Sequence, residues 1–247
     1  MRICLAQLQS ANGDLAANLD RHCRAIRTAA DYQTNLIIFP ELSLTGYEPT
    51  LAASLATTPD DPVLAPLQSL SDRYRMVIAA GLPIRTPEGL CIGLVICQPN
   101  QPQQLYTKHF LHADEVPFFT AGRHVPMLDF PFDRVALAIC YELSVDEHTR
   151  QVIQPETTVY LASVAKTAIG MQQATLRMAD IARTYQVPAL LVNAIGPADT
   201  FVNAGQSAAW TAKGTLMGQL PADEEGLLIV DTRTETALSI PLILKTA

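Results

Sequence analysis

The sequence has no run of lysines and arginines. Its 17 basic residues are outnumbered by 24 acidic ones, giving a net charge of −7. Phosphate backbones are held by clustered cations, so this balance argues against a nucleic-acid partner. No stretch approaches the ~20 apolar residues that span a bilayer, and no membrane association is expected. The opening MRICLAQLQSANGD is broken by Gln7 and Gln9 and is too short an apolar run for a secretion signal. Its five cysteines (4, 23, 91, 97 and 140) form no C-x-x-C pair and no zinc-type spacing with histidine. No metal site is expected from these cysteines. The odd count fits reduced thiols in a cytoplasmic protein. There is also no linker, low-complexity tract or short-period repeat.

Apolar residues are plentiful at 49%, against 17% charged, a composition that can fill a large core. The 247 residues read as one domain, 1–247. Strand-like runs are expected at Ile3–Leu8, Leu36–Phe39, Met76–Ala80, Cys91–Cys97, Val135–Ile139, Val159–Ala162, Ala189–Val192, Ser207–Trp210 and Leu227–Val230. Several are continuously apolar, as in strands covered on both faces. Helical stripes lie between them. One is Leu15, Leu19, Cys23, Ile26 and Ala30, capped by Asp14. A second is Leu64, Leu67 and Leu70, and a third runs from Met171 through Ala174, Met178 and Ile181 to Tyr185. A shorter helix is expected at about Asp146–Gln154. Strands and helices alternate throughout, so the fold is α/β.

Three places carry candidate chemistry. In LIIFPELSLTGY, Glu41 follows a buried strand at once, and a partly desolvated carboxylate there suits a general base. Taken alone, Glu41 reads as readily as a helix cap or the partner of an arginine. In YTKHF, Lys108 ends a hairpin strand, where an ammonium could meet a developing oxyanion. Taken alone it reads as a surface lysine. His109, His112, Asp114 and Glu115 cluster nearby, but their spacing matches no standard ligand motif. In VALAICYELS, Cys140 leaves an apolar strand at a turn, where the next backbone N–H would face a site. One cysteine among five is ordinarily a core residue, and a nucleophilic thiol needs a base or a cation beside it.

Glu, Lys and Cys occur in that order, each after a strand, and in this the sequence resembles the nitrilase superfamily of carbon–nitrogen hydrolases. The resemblance rests on FPELSLTGY, YTKHFLHADEVPFFTAG and ALAICYELS. It extends to Ala6-Gln7 with Asn18, to Asn193-Ala194-Ile195-Gly196 and to Gly205-Gln206-Ser207. It implies a four-layer α-β-β-α sandwich and a cofactor-free thiol hydrolase of a small amide or carbamoyl substrate. It also implies a homodimer or larger oligomer. By the same resemblance Cys140 is the nucleophile and Glu41 the general base. Lys108 holds the oxyanion with the Tyr141 backbone N–H, and Glu115 is a second, positioning glutamate. Tyr47, Phe118, Phe119, Tyr141, Ser163 and Ala165 are candidate lining residues by position.

The sequence departs from many relatives at Leu143-Ser144-Val145, at His109-Phe110-Leu111-His112 and at Met171-Gln172-Gln173, so a distinctive pocket is expected. Rival readings are a nitrile hydrolase, an acyltransferase that uses an amine in place of water, a non-catalytic relative, and a thiol sensor that needs neither Glu41 nor Lys108.

Overall fold

The computed structural model describes residues 1–123 and 125–242; the last five residues of the expected domain lie outside it. In chain order the strands are β1 (Arg2–Gln7), β2 (Leu36–Ile38), β3 (Val77–Thr86), β4 (Gly89–Cys97), β5 (Gln104–Thr107), β6 (Leu128–Asp129), β7 (Arg134–Ile139), β8 (Val159–Val164), β9 (Ala189–Asn193), β10 (Ile195–Ala198), β11 (Phe201–Ala204), β12 (Ala208–Trp210), β13 (Leu216–Gln219), β14 (Gly226–Asp231) and β15 (Thr236–Pro241). The helices are α1 (Leu15–Ala30), α2 (Ala52–Leu55), α3 (Ala65–Tyr74), α4 (Asp146–Val152) and α5 (Ala168–Tyr185). None of these helices is long and apolar enough to cross a membrane.

Two sheets form the middle of the molecule. One has the order β15-β14-β1-β2-β3-β4-β5, the other β13-β12-β9-β8-β7-β6. Each has a parallel centre, β1-β2-β3 in the first and β7-β8-β9 in the second. These are the continuously apolar runs of the sequence, and alternate residues feed different cores. Ile3 and Leu5 join Leu137 and Ile139 between the sheets, while Cys4 and Ala6 face α1 and α3. Ala136 and Ala138 face α5 through Met171, Met178 and Ile181. The layers are therefore helix, sheet, sheet, helix. Both faces of each sheet are buried, which parallel strands require.

The expected strands and helices form. Asp14 caps α1 by accepting from the Ala17 N–H at 3.0 Å, and the Pro-rich segment from Gln98 to Gln103 joins β4 to β5 as a hairpin. The strands that patterning does not announce are β6, β10, β11, β13 and β15. β6, β13 and β15 lie at sheet edges and β10 and β11 pair as a separate two-stranded sheet; all five are short or largely exposed and lack continuous apolar runs.

Helix α1 is rotated relative to its apolar stripe. Leu15 and Leu19 are only partly buried, and Asn18 and His22 are fully buried. The two polar side chains have partners inside. Asn18 Nδ2 donates to the carbonyls of Ala11 and Leu44, and His22 Nε2 lies 2.9 Å from Ser43 Oγ. Buried polar groups are tolerated when so matched, and here they fasten the turn that carries Glu41.

Candidate active site

The carboxyl ends of β2, β5, β7 and β8 meet between the two sheets. Beyond β2 the chain makes a tight turn at Pro40-Glu41-Leu42. Ser43 N–H donates to Pro40 O at 3.1 Å, and Leu42 takes a left-handed φ of 53°. The turn sits directly on β3 at Gly81. A Cβ there would lie 2.5 Å from Leu42 N and 2.7 Å from Pro40 O, so only glycine admits this approach. Leu44 N–H donates to Gly81 O at 2.9 Å, and Ser163 Oγ donates to Phe39 O at 2.8 Å. Both sheets thus hold the segment that presents Glu41.

Lys108 follows β5 and is wholly buried. Its N–H donates to Ile92 O at 2.9 Å and its carbonyl accepts from Gly122 N–H at 2.7 Å. Nζ reaches Glu41 Oε1 at 2.7 Å and Glu115 Oε1 at 2.6 Å. Glu115 is fixed in turn by the Tyr47 hydroxyl on Oε1 at 3.0 Å and by the His112 N–H on Oε2 at 2.8 Å. Glu41 Oε2 is buried and has no hydrogen-bond partner among the described residues.

Cys140 leaves β7 into a 3₁₀ turn, Cys140–Ser144, with φ 47°. A non-glycine residue in this region is uncommon and costs energy. The surroundings enforce it, because Glu142 satisfies donors on both sides. Its Oε2 accepts from Ile139 N–H at 2.8 Å and from the Tyr106 hydroxyl. Its Oε1 accepts from the N–H groups of His109, at 2.6 Å, and Phe110, at 3.2 Å. His148 Nε2 lies 3.0 Å from the Tyr106 hydroxyl. The Cys140 thiol donates to Ala165 O at 3.7 Å.

Burial decides the charge states. Two carboxylates share one ammonium in a dry setting. Burial pushes the Glu41 pKa up to about 7, with Lys108 pulling the other way and Glu115 adding to the rise. Burial works against the charge on Lys108, but Glu41, Cys140 and Glu115 outweigh it and hold it above its ordinary value. Burial also pushes the thiol up to about 12, helped by Glu41 and opposed by Lys166 and Lys108. At neutral pH the thiol keeps its proton, with a carboxylate poised near neutrality beside it. Such a pair moves a proton during attack; it does not store a thiolate.

A cavity of about 300 Å³ opens onto Cys140. Tyr47, Tyr141 and Ala165 line it, as their positions suggested, together with Lys166 and Phe201. Phe118, Phe119 and Ser163 do not. Phe118 is exposed, Phe119 belongs to the core between the sheets, and Ser163 is fully buried with its hydroxyl committed to Phe39. His112 pairs with Asp114 at 2.6 Å, and Glu115 is committed to Lys108. Among the described residues no three His, Cys, Asp or Glu side chains converge as metal ligands.

The sequence reading assigned no part to Glu142, Tyr106, His148, Asn18 or His22. Glu142 directly follows Tyr141, and Tyr106 lies two residues before Lys108, both within the motifs that carry the resemblance. Asn18 was quoted in the resemblance but given no task. The two histidines carried no local signal at all.

The family model of carbon–nitrogen hydrolases matches residues 2–241, and the chain belongs to that family. An (R)-stereoselective amidase from Pseudomonas sp is 29% identical over 229 residues, covering 91% of this chain and 82% of that protein. A glutamine-dependent NAD(+) synthetase from Aquifex aeolicus is 23% identical over 242 residues. That match covers 93% of this chain and 42% of the synthetase. Among solved structures, a mutant of the amidase from Nesterenkonia sp. AN1 in complex with butyramide superimposes with a TM-score of 0.84 at 23% identity. The superposition covers 95% of this chain and 92% of that chain, a likeness of fold.

Proposed function

We propose that this carbon–nitrogen hydrolase cleaves the carboxamide of a small linear substrate and releases ammonia through a thioester on Cys140. One observation carries the reading: Glu41 Oε2 is a buried acceptor with no partner among the described residues, in electrostatic reach of a thiol that must lose its proton. An unmatched buried acceptor typically costs about 1–3 kcal/mol, and a site that keeps one uses it.

In the proposed reaction the Cys140 sulfur attacks the carboxamide carbon while its proton passes to Glu41. The oxygen of the tetrahedral adduct takes the negative charge. The Lys108 ammonium, already fixed by two carboxylates, and the Tyr141 backbone N–H stabilise that charge, with no reorganisation at the moment of reaction. Glu41 returns the proton to the departing nitrogen, the C–N bond breaks and ammonia leaves. A water then gives Glu41 a proton and its oxygen attacks the thioester. The C–S bond breaks, the acid leaves and the thiol regains its proton. Glu115, held by Tyr47 and His112, positions Lys108. A cavity of about 300 Å³ suits a small substrate.

The amidase relative supports the amide class over a nitrile. An amine acceptor in place of water would use the same acyl-enzyme. We further propose one domain over the whole chain, a cytoplasmic home, and a homo-oligomer built near the Cys140 turn, where Ile169 and Leu176 on α5 are exposed.

The test is ammonia release by wild type and Cys140→Ala across small amides, ω-amides, N-carbamoyl amino acids and short nitriles. Release by wild type alone supports the reading. Equal release by both overturns the nucleophile assignment.

A further inference from the structure

When Glu41 is ionised and ready to take the thiol proton, the buried cluster holds two carboxylates and one ammonium. Lys108 Nζ lies 2.7 Å from Glu41 Oε1 and 2.6 Å from Glu115 Oε1, so its charge is shared between them. The Cys140 sulfur must then turn negative beside an excess of negative charge, away from water, where like charges are poorly screened. A second cation near the sulfur would offset this. Lys166 lines the cavity that opens onto Cys140 and, among the described residues, is the only Lys or Arg that does. It makes no ion pair among the described residues. The other charged groups there are matched, Glu115 by Lys108 and Asp114 by His112, each at 2.6 Å.

The backbone ties Lys166 to the sulfur. The carbonyl of the preceding residue, Ala165, accepts the Cys140 thiol at 3.7 Å. Asn193 clamps Lys166 itself from both sides, with Oδ1 accepting from its N–H at 2.9 Å and Nδ2 donating to its carbonyl at 3.1 Å. Asn193 is anchored in turn, because its N–H donates to Ser207 Oγ at 2.9 Å and Ser207 Oγ donates to Gln7 Oε1 at 2.9 Å. A polar chain thus runs from β1 in one sheet, through β9 in the other, to the residue beside the thiol's own acceptor. Such support fixes the point from which the side chain starts. The charges agree with the geometry. Burial raises the thiol pKa and Glu41 adds to the rise, while Lys166 and then Lys108 pull it down. Thr167 caps the 18-residue helix α5 by accepting from Gly170 N–H at 3.2 Å, and both residues line the same cavity. The positive end of α5 adds to the field.

We infer that Lys166 is a second cation of the reaction, which stabilises the negative charge that develops on the Cys140 sulfur. The inference rests on the thioester reading above and adds a residue to it. Charge gathers on sulfur twice. It does so first as the S–H proton passes to Glu41 during attack. It does so again in deacylation, when the C–S bond breaks and its electron pair returns to sulfur before the proton does. Lys166 forms no bond and moves no proton in either step. The two lysines divide the work, Lys108 serving the oxygen of the adduct and Lys166 the sulfur.

The test is the rate at which iodoacetamide alkylates Cys140 at neutral pH in wild type, Lys166→Met and Lys166→Arg, with the adduct located by peptide mass. The reagent is uncharged and reacts with the thiolate. Lys166→Met removes the charge and keeps the length of the side chain. Its alkylation rate is expected to fall about three- to tenfold, a rise of about one unit in thiol pKa partly offset by the greater nucleophilicity of the more basic thiolate. Lys166→Arg is expected to restore most of the rate. Turnover of a small neutral amide should fall in the same order through kcat, with KM little changed. Alkylation of Lys166→Met at the wild-type rate overturns the inference. So does a Lys166→Arg variant as slow as Lys166→Met, because the side chain would then act by shape and not by charge. A loss of turnover confined to KM also overturns it and assigns Lys166 to substrate binding. Alkylation needs no substrate, so if no amide releases ammonia the amidase reading falls and the alkylation rates still decide the part of Lys166.

Discussion

Glu142 Oε1 accepts the backbone N–H of His109 at 2.6 Å. The contact joins two turns from different sheets. One carries Cys140, two residues before Glu142, and the other carries Lys108, one residue before His109. The carboxylate therefore sets the distance between the thiol and the ammonium while meeting no substrate itself. Glu142→Ala strands the N–H groups of Ile139, His109 and Phe110 and the Tyr106 hydroxyl. Loss of about 3–5 kcal/mol of stability is expected by urea unfolding. Glu142→Gln keeps the volume but turns an amide N–H₂ toward donors. It is expected to fold and to lose kcat more than it raises KM.

Glu41, with its pKa raised to about 7 by burial, must be ionised to accept the thiol proton. The rate constant kcat/KM should therefore rise with pH through about 7 and level off above it. Glu41→Gln should abolish turnover with the fold intact, as judged by circular dichroism. Wild-type rates in that variant would sink the base assignment.

Lys108→Met is expected to lower kcat by roughly a hundredfold or more, the usual effect of deleting an oxyanion donor. It also leaves Glu41 and Glu115 buried without their cation, and Glu41 should then hold its proton more tightly. Adding Glu115→Gln to Lys108→Met should recover stability and leave turnover lost. A change confined to KM would assign Lys108 to binding instead.

Gly81→Ala tests the turn beneath Glu41. The added methyl would lie 2.5 Å from Leu42 N and cannot be absorbed by a flexible side chain. A stability loss of about 1–3 kcal/mol is expected, with turnover falling at least tenfold as Glu41 moves off Lys108. Thermal melts read against kcat separate the two effects.

His22 is buried between Asn18 and Ser43, and burial lowers its pKa from 6.5 to about 4. Above pH 6.5 it is neutral whether the chain is folded or unfolded. Between 6.5 and about 4 only the unfolded chain binds the proton. Its contribution to stability is therefore lost as pH falls through that window, by roughly 3 kcal/mol in full. Denaturant titrations at stepped pH should show this slope in wild type and lack it in His22→Gln.

The parallel centres of both sheets, the helices α1, α3 and α5, and the residues Glu41, Lys108, Glu115 and Cys140 were legible in order along the chain. A strand buried on both faces must be continuously apolar, and a polar residue ending such a run stands out against it. The margins were not legible: β13 and β15 are half-exposed and follow no strong pattern. Among the lining candidates, Phe119 and Ser163 sit close in sequence to site residues, yet side-chain direction carries one into the core and the other onto the Phe39 carbonyl.

What the sequence determined by itself is the fold class and the chemical kinds present, because hydrophobic periodicity and short motifs are local properties of a chain. Tertiary structure alone decided what those groups can do. Glu41 and Lys108 are 67 residues apart in sequence and 2.7 Å apart in space. Burial raises the Glu41 pKa against the pull of Lys108, and the nearby carboxylates keep Lys108 charged against its own burial. The parts played by Glu142 and His22 rest on the same fact. Hydrogen-bond geometry and burial are relations between segments, and no single segment encodes them.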